Sequence, residues 1–78
     1  MRVMLKMPKV GDAADKAVVV TVNAKPGDHV SEGQTLMLVE TDKASVEIPS
    51  PMAGAVAAVH VAEGDEVATG APTFTIEG

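Results

Sequence analysis

Apolar and polar residues alternate along much of this chain with the two-residue period of a β-strand. Val3, Leu5 and Met7 alternate with Arg2, Met4 and Lys6, a pattern that predicts a first strand with one buried face, ended or held at a sheet edge by Pro8. Lys9 to Lys16 is polar and turn-rich and reads as a surface loop. Ala17 to Asn23 is dense in β-branched residues and predicts a second strand. Pro26-Gly27 supplies the pair preferred at the centre of a type II turn, where proline fixes φ and glycine accepts a positive φ. Two further apolar segments, Gln34 to Glu40 and Ser45 to Pro49, flank the short polar run Thr41-Asp42-Lys43-Ala44 and read as the arms of a β-hairpin. Ser50-Pro51 makes a corner, Gly54 to His60 another strand, Glu63-Gly64-Asp65 another tight turn, and Pro72 to Ile76 a last strand. No segment keeps helical spacing for three turns without glycine or proline, so the expected class is all-β.

The chain also repeats itself. Val22-Asn23-Ala24-Lys25-Pro26-Gly27-Asp28-His29-Val30 aligns with Val59-His60-Val61-Ala62-Glu63-Gly64-Asp65-Glu66-Val67, and the same offset carries Gly33 onto Gly70, Val39 onto Ile76 and Glu40 onto Glu77. Two equal halves, each with one apolar face, bury those faces against each other. The expected architecture is a flattened β-barrel or sandwich of two small antiparallel sheets related by an internal pseudo-two-fold axis. Because Glu77 matches Glu40, such an axis sets the chain ends opposite the hairpin tip. Pro8 and Gly11 match Pro51 and Gly54, but the first half then carries extra residues within Asp12 to Ala17. The same symmetry places this longer loop at the end that holds Lys43.

Length and composition narrow the function. At 78 residues the chain is one small domain, burying only about 60 to 65% of its unfolded surface. It has no cysteine, hence no disulfide and no thiolate metal site, and a reducing compartment is permitted. A net charge of -5 and a single aromatic residue, Phe74, argue against nucleic acid, which needs cations for phosphates and aromatic rings for stacking. Ala53 to Val61 is too short and alanine-rich to cross a bilayer, and the start carries no signal-peptide pattern. Phe74 reads as core filler and Met52 as corner filler. His29 and His60 lie in different repeats without a ligand cluster and read as solvated or structural. Glu32, Glu40, Asp42 and Glu47 could suggest an acid pair, but they fall at strand and turn positions near a solvated hairpin and read as surface charges.

Lys43 is the residue of interest. Thr41, Asp42 and Lys43 have no apolar neighbour to draw them inward, and aspartate favours turns by bonding its own backbone, so Lys43 is expected at the hairpin tip with its ammonium in water. An exposed primary amine is mostly protonated at neutral pH and a poor nucleophile, so acylating it needs an enzyme that brings an activated group.

The motif Glu40-Thr41-Asp42-Lys43-Ala44-Ser45, followed by Val46-Glu47-Ile48-Pro49-Ser50-Pro51, resembles the lipoyl domains of 2-oxo acid dehydrogenase complexes, most closely those of pyruvate dehydrogenase acyltransferases. The resemblance extends to Gly27, Val30, Leu36 and Val39 upstream and to Gly54 and Val56 downstream. It implies that residues 1–78 form a single non-catalytic carrier domain cut from a longer chain, an acyltransferase or, as the alternative, a flavoprotein component. It implies lipoic acid in amide linkage on Lys43, placed there by a lipoate ligase or octanoyltransferase that reads Asp42 and Ala44. The arm, reaching roughly 15 Å over about a dozen bonds, would be acylated by a thiamin diphosphate-dependent decarboxylase. It would then pass the acyl group to coenzyme A at the acyltransferase core and be reoxidised by a flavin-dependent dihydrolipoyl dehydrogenase.

The resemblance further implies that the loop Gly11-Asp12-Ala13-Ala14-Asp15-Lys16 helps the decarboxylase recognise its carrier, although Ala13-Ala14 replaces a more polar stretch usual in the family. The implied setting is a bacterial cytoplasm or a mitochondrial matrix, with an isolated domain that is monomeric and contacts neither nucleic acid nor membrane. Two other functions remain open. A biotinyl carrier domain shares the hairpin lysine but sets it within Ala-Met-Lys-Met, whereas Asp42 and Ala44 flank it here. An unmodified β-sandwich used for assembly would leave Asp42-Lys43-Ala44 incidental.

Overall fold

In the computed structural model, which describes residues 1–9 and 15–78, every regular element is a strand. The eight strands are β1 (Arg2–Lys6), β2 (Lys16–Val22), β3 (His29–Val30), β4 (Thr35–Glu40), β5 (Ser45–Pro49), β6 (Gly54–Val59), β7 (Glu66–Ala68) and β8 (Pro72–Glu77). Six of them fall where the sequence predicts strands. The other two, β3 and β7, are two and three residues long, too short to show any period, and follow the two Gly-Asp turns.

The strands form two four-stranded antiparallel sheets, ordered β1-β8-β6-β3 and β5-β4-β2-β7. Each position in one order is the repeat equivalent of the same position in the other, so the duplication in sequence is a two-fold in space. The irregularities repeat as well: the register shifts between Val19 and Thr21 in one sheet and between Val56 and Ala58 in the other.

The turns show the symmetry at atomic detail. Asp28 N donates to Lys25 O and Asp65 N to Ala62 O, both at 3.0 Å. The side chains of the same aspartates accept from the Lys25 and Ala62 amides at 3.1 and 2.9 Å. Gly27 and Gly64 take φ values of 95° and 92°, a region open to glycine at little cost.

Inward-facing residues of both sheets share one core. Val19 and Val56, Val30 and Val67, Val39 and Ile76, and Met37 and Phe74 are repeat partners, and all eight are buried. Phe74 is fully buried, as expected for the only aromatic side chain in so small a core. Met52 is half-buried and packs on the core's edge.

Register separates the two ends of the molecule. Val18 pairs with Glu40, and Lys16 with Ala68, so β7 finishes at the tip end of its sheet. The chain turns there and β8 begins at Pro72, then runs away to Glu77, which pairs with Arg2. The amino terminus donates to Gly78 O at 3.0 Å. Met1 and Gly78 therefore lie together at least about one six-residue strand, roughly 17 Å, from the Lys43 end.

Candidate functional site

Strands β4 and β5 present the site. Glu40 pairs with Ser45 as the last rung of their ladder, and Thr41 N donates to Ala44 O at 2.8 Å to close it. Asp42 and Lys43 are left as a two-residue loop, and Asp42, Lys43 and Ala44 are all exposed. Leu36 and Val39 on β4 and Ile48 on β5 are buried, so the base of the hairpin is anchored in the core while its tip stands in water.

Thr41 is half-buried, and its hydroxyl oxygen lies 3.3 Å from Ala44 N, 3.4 Å from Lys43 N and 3.3 Å from Ala44 O. Local bonding by Asp42 was the expectation for this turn. Thr41 makes those bonds instead, and aspartate has that role in the Pro26-Gly27 and Glu63-Gly64 turns. Thr41 is the site residue that sequence reasoning missed. A threonine just before a two-residue loop is the signal that could have found it.

The two ends of the molecule differ in charge. At the chain ends Arg2 donates to Glu77 Oε2 from Nη2 at 2.8 Å and from Nε at 3.2 Å. These bonds, then the guanidinium charge, hold the Glu77 carboxyl below its usual range. At the tip the repeat counterpart of Glu77 is Glu40, which faces Ser45 rather than an arginine. The tip therefore keeps exposed Glu40 and Asp42, and no carboxylate among the described residues forms an ion pair with Lys43.

Of the predicted recognition loop, Gly11, Asp12, Ala13 and Ala14 lie outside the described residues. Asp15 is exposed and its carbonyl accepts from Thr69 N at 2.7 Å. Lys16 belongs to β2 rather than to a loop, and its Nζ lies 3.3 Å from Glu66 Oε1. Both residues sit at the tip end, beside Ala68. His29 is exposed, and His60 Nε2 lies 2.9 Å from Thr75 Oγ1 on β8, a structural contact within its sheet. Among the described residues no three metal-binding side chains come together.

Lys43 thus stands exposed on a two-residue loop closed by the Thr41–Ala44 bond, an arrangement open to covalent modification at its amine. Comparison with known proteins gives this geometry a context. A family model described as "Biotin-requiring enzyme", that of the biotin/lipoyl domains, matches residues 3–76. The chain belongs to the biotin/lipoyl family.

Among biotin/lipoyl proteins, the chain is 50% identical over 66 residues to a dihydrolipoyllysine-residue acetyltransferase component of pyruvate dehydrogenase complex from Pseudomonas aeruginosa. That match takes in 85% of this chain and 12% of the relative, so the chain spans about an eighth of that protein. The solution structure of the lipoyl domain of the 2-oxoglutarate dehydrogenase complex from Azotobacter vinelandii superposes with a TM-score of 0.77 at 27% identity, covering 96% of this chain and 95% of that one. A multi-domain long-chain acyl-CoA carboxylase superposes nearly as well, with a TM-score of 0.76 at 28% identity over 95% of this chain and 7% of that one. The fold is therefore shared by proteins of different named activity.

Proposed function

We propose that this domain is a lipoyl carrier of a 2-oxo acid dehydrogenase complex, with Lys43 as the attachment residue and pyruvate as the 2-oxo acid served. The observation that carries the reading is Lys43 on an anchored hairpin, exposed between Asp42 and Ala44. Half-identity to a pyruvate dehydrogenase acetyltransferase component supports the choice of complex. The residues present fit the group, because an amide at Lys43 Nζ needs only an outward amine on a fixed base. When attached, the lipoyl group supplies a dithiolane that can accept and pass on acyl groups and electrons.

This chain's own part is mechanical and electrostatic. The hairpin fixes where the lysine stem begins, and the separation of tip from chain ends lets linkers leave from one end while the arm works at the other. Tethering of this kind holds a reactive group at an effective concentration of about millimolar near each active site. The partners we propose are a thiamin diphosphate-dependent decarboxylase, an acyltransferase core, a flavin-dependent dihydrolipoyl dehydrogenase and a lipoate ligase or octanoyltransferase. Asp42 and Ala44 are the residues proposed to be read by the modifying enzyme, and Gly11 to Lys16 by the decarboxylase. The parent is proposed to be an acyltransferase component at work in a bacterial cytoplasm.

The test is to lipoylate the domain and offer it to purified decarboxylases with radiolabelled pyruvate, 2-oxoglutarate or a branched-chain 2-oxo acid. Label transferred fastest from pyruvate, and none transferred to a Lys43→Arg domain, is the expected result. Equal transfer from all three would remove the assignment to pyruvate, and transfer to Lys43→Arg would remove the assignment to Lys43.

A further inference from the structure

The turn that carries Lys43 is built unlike the four glycine turns, and shares with the Ser50-Pro51 corner a hydroxyl side chain that bonds within the bend. The turns at Gly27, Gly33, Gly64 and Gly70 each use a glycine with φ between 86° and 95°. In each, an amide donates to the carbonyl three residues back: Asp28 to Lys25, Gln34 to Ser31, Asp65 to Ala62 and Ala71 to Ala68, all at 3.0 Å. The Asp42-Lys43 loop has neither feature. No non-glycine among the described residues has positive φ, so this two-residue loop is not of the primed type whose twist suits a hairpin. Nor does the Ala44 amide reach the Thr41 carbonyl; its acceptor is the Thr41 hydroxyl at 3.3 Å. That one oxygen also lies 3.4 Å from the Lys43 amide and 3.3 Å from the Ala44 carbonyl.

We propose that Thr41 is a positioning residue for the modification of Lys43, its hydroxyl standing in for the absent turn bond and holding the lysine backbone in one conformation. This rests on Lys43 being the lipoylated residue. The sheet holds the loop only at its base, through the short bond from Thr41 N to Ala44 O. Beyond that bond, Thr41 Oγ1 supplies the contacts to the two amides that set where the Lys43 side chain departs. A modifying enzyme then meets a preformed bend and need not order it on binding, which is where preorganisation raises affinity. Contacts of 3.3 to 3.4 Å are long for hydrogen bonds, so the hydroxyl acts through their number rather than the strength of any one.

Wild type, Thr41→Val and Thr41→Ser should be compared as substrates of a lipoate ligase with lipoate and ATP, with product followed by intact mass. Valine keeps the branched shape and removes the hydroxyl, so kcat/KM is expected to fall about tenfold, the scale of one net hydrogen bond, while serine stays within about twofold. Exchange of the Ala44 amide, read by NMR, should quicken in the valine variant and not in the serine variant. Acetylation of Lys43 by acetic anhydride, a reagent too small to need the bend, should proceed equally in all three. Valine lipoylated at the wild-type rate, or serine as slow as valine, would overturn the role of Thr41 and leave Lys43 as the attachment residue. A wild-type domain that gains no lipoyl mass would overturn the Lys43 reading itself, and this inference with it.

Discussion

Replacing Gly54 with alanine sets two effects of opposite sign against each other. Gly54 opens β6, is buried, and pairs with Val30. A Cβ built there would sit 2.5 Å from the Glu77 carbonyl oxygen and 2.9 Å from Ile76 Cγ2. Glu77 cannot simply step aside, because it is paired with Arg2 on one flank and Ala55 on the other. Restoring ordinary contact means moving β6 from β8 by about an ångström, and overpacking of this kind costs about 1 to 3 kcal/mol. Against it stands the gain from replacing a flexible glycine within a strand, roughly 0.5 to 1 kcal/mol. At the centres of these ranges the clash wins by about 1 kcal/mol, which in a domain this size lowers Tm by roughly 4 to 8 °C.

Thermal melting followed by far-UV circular dichroism is the suitable assay, since the chain has no tryptophan or tyrosine. Ala17 is the internal control: it holds the equivalent place in the first half and is buried without conflict. An unchanged or raised Tm for Gly54→Ala would refute the reasoning, for it would mean that β8 yields freely and the backbone gain prevails.

Asp28→Ala and Asp65→Ala each remove a side-chain bond to a turn amide and should each cost about 1 kcal/mol, adding in the double variant because the turns share no partner; urea titration measures all three. Phe74→Ala empties the largest site in the core and should cost about 3 to 5 kcal/mol, enough to leave a small domain largely unfolded by circular dichroism at room temperature. The Arg2–Glu77 pair makes a pH-dependent contribution. The folded carboxyl titrates below its unfolded range, so the contribution is complete above that range and is lost as pH falls through the depressed folded value. The Tm gap between wild type and Arg2→Ala should accordingly narrow on going from neutral pH to about pH 3, and should shrink with added salt.

The hairpin was legible in the sequence because its arms alternate and its turn is polar, and the two-fold because Gly-Asp-x-Val recurs at one offset with Val39 and Ile76. Other features are not local properties of the chain. Strands β3 and β7 exist because turns deliver two or three residues to a sheet edge beside Gly54 and Ala17. Burial of both Leu36 and Met37, consecutive residues that alternation would send to opposite faces, follows from a register shift against β5. In β8, Thr73 and Thr75 are buried beside Phe74 and Ile76 because that strand lies inside its sheet, where Thr73 bonds Leu5 O and Thr75 meets His60. The role of Thr41 depends on the backbone angles at Asp42 and Lys43, which no residue type dictates. Lys43 itself could be singled out from sequence because its flanks are distinctive, whereas its exposure depends on the fold.

The most direct test of the account is intact mass after coexpression of the domain with a lipoate ligase and lipoate, and separately with a biotin ligase and biotin, followed by peptide mapping. The account predicts one lipoyl increment, located on Lys43 among the five lysines of the chain, absent from Lys43→Arg, and no biotin increment. A biotin increment on Lys43, a lipoyl group on Lys6, Lys9, Lys16 or Lys25, or no increment with either ligase would contradict it.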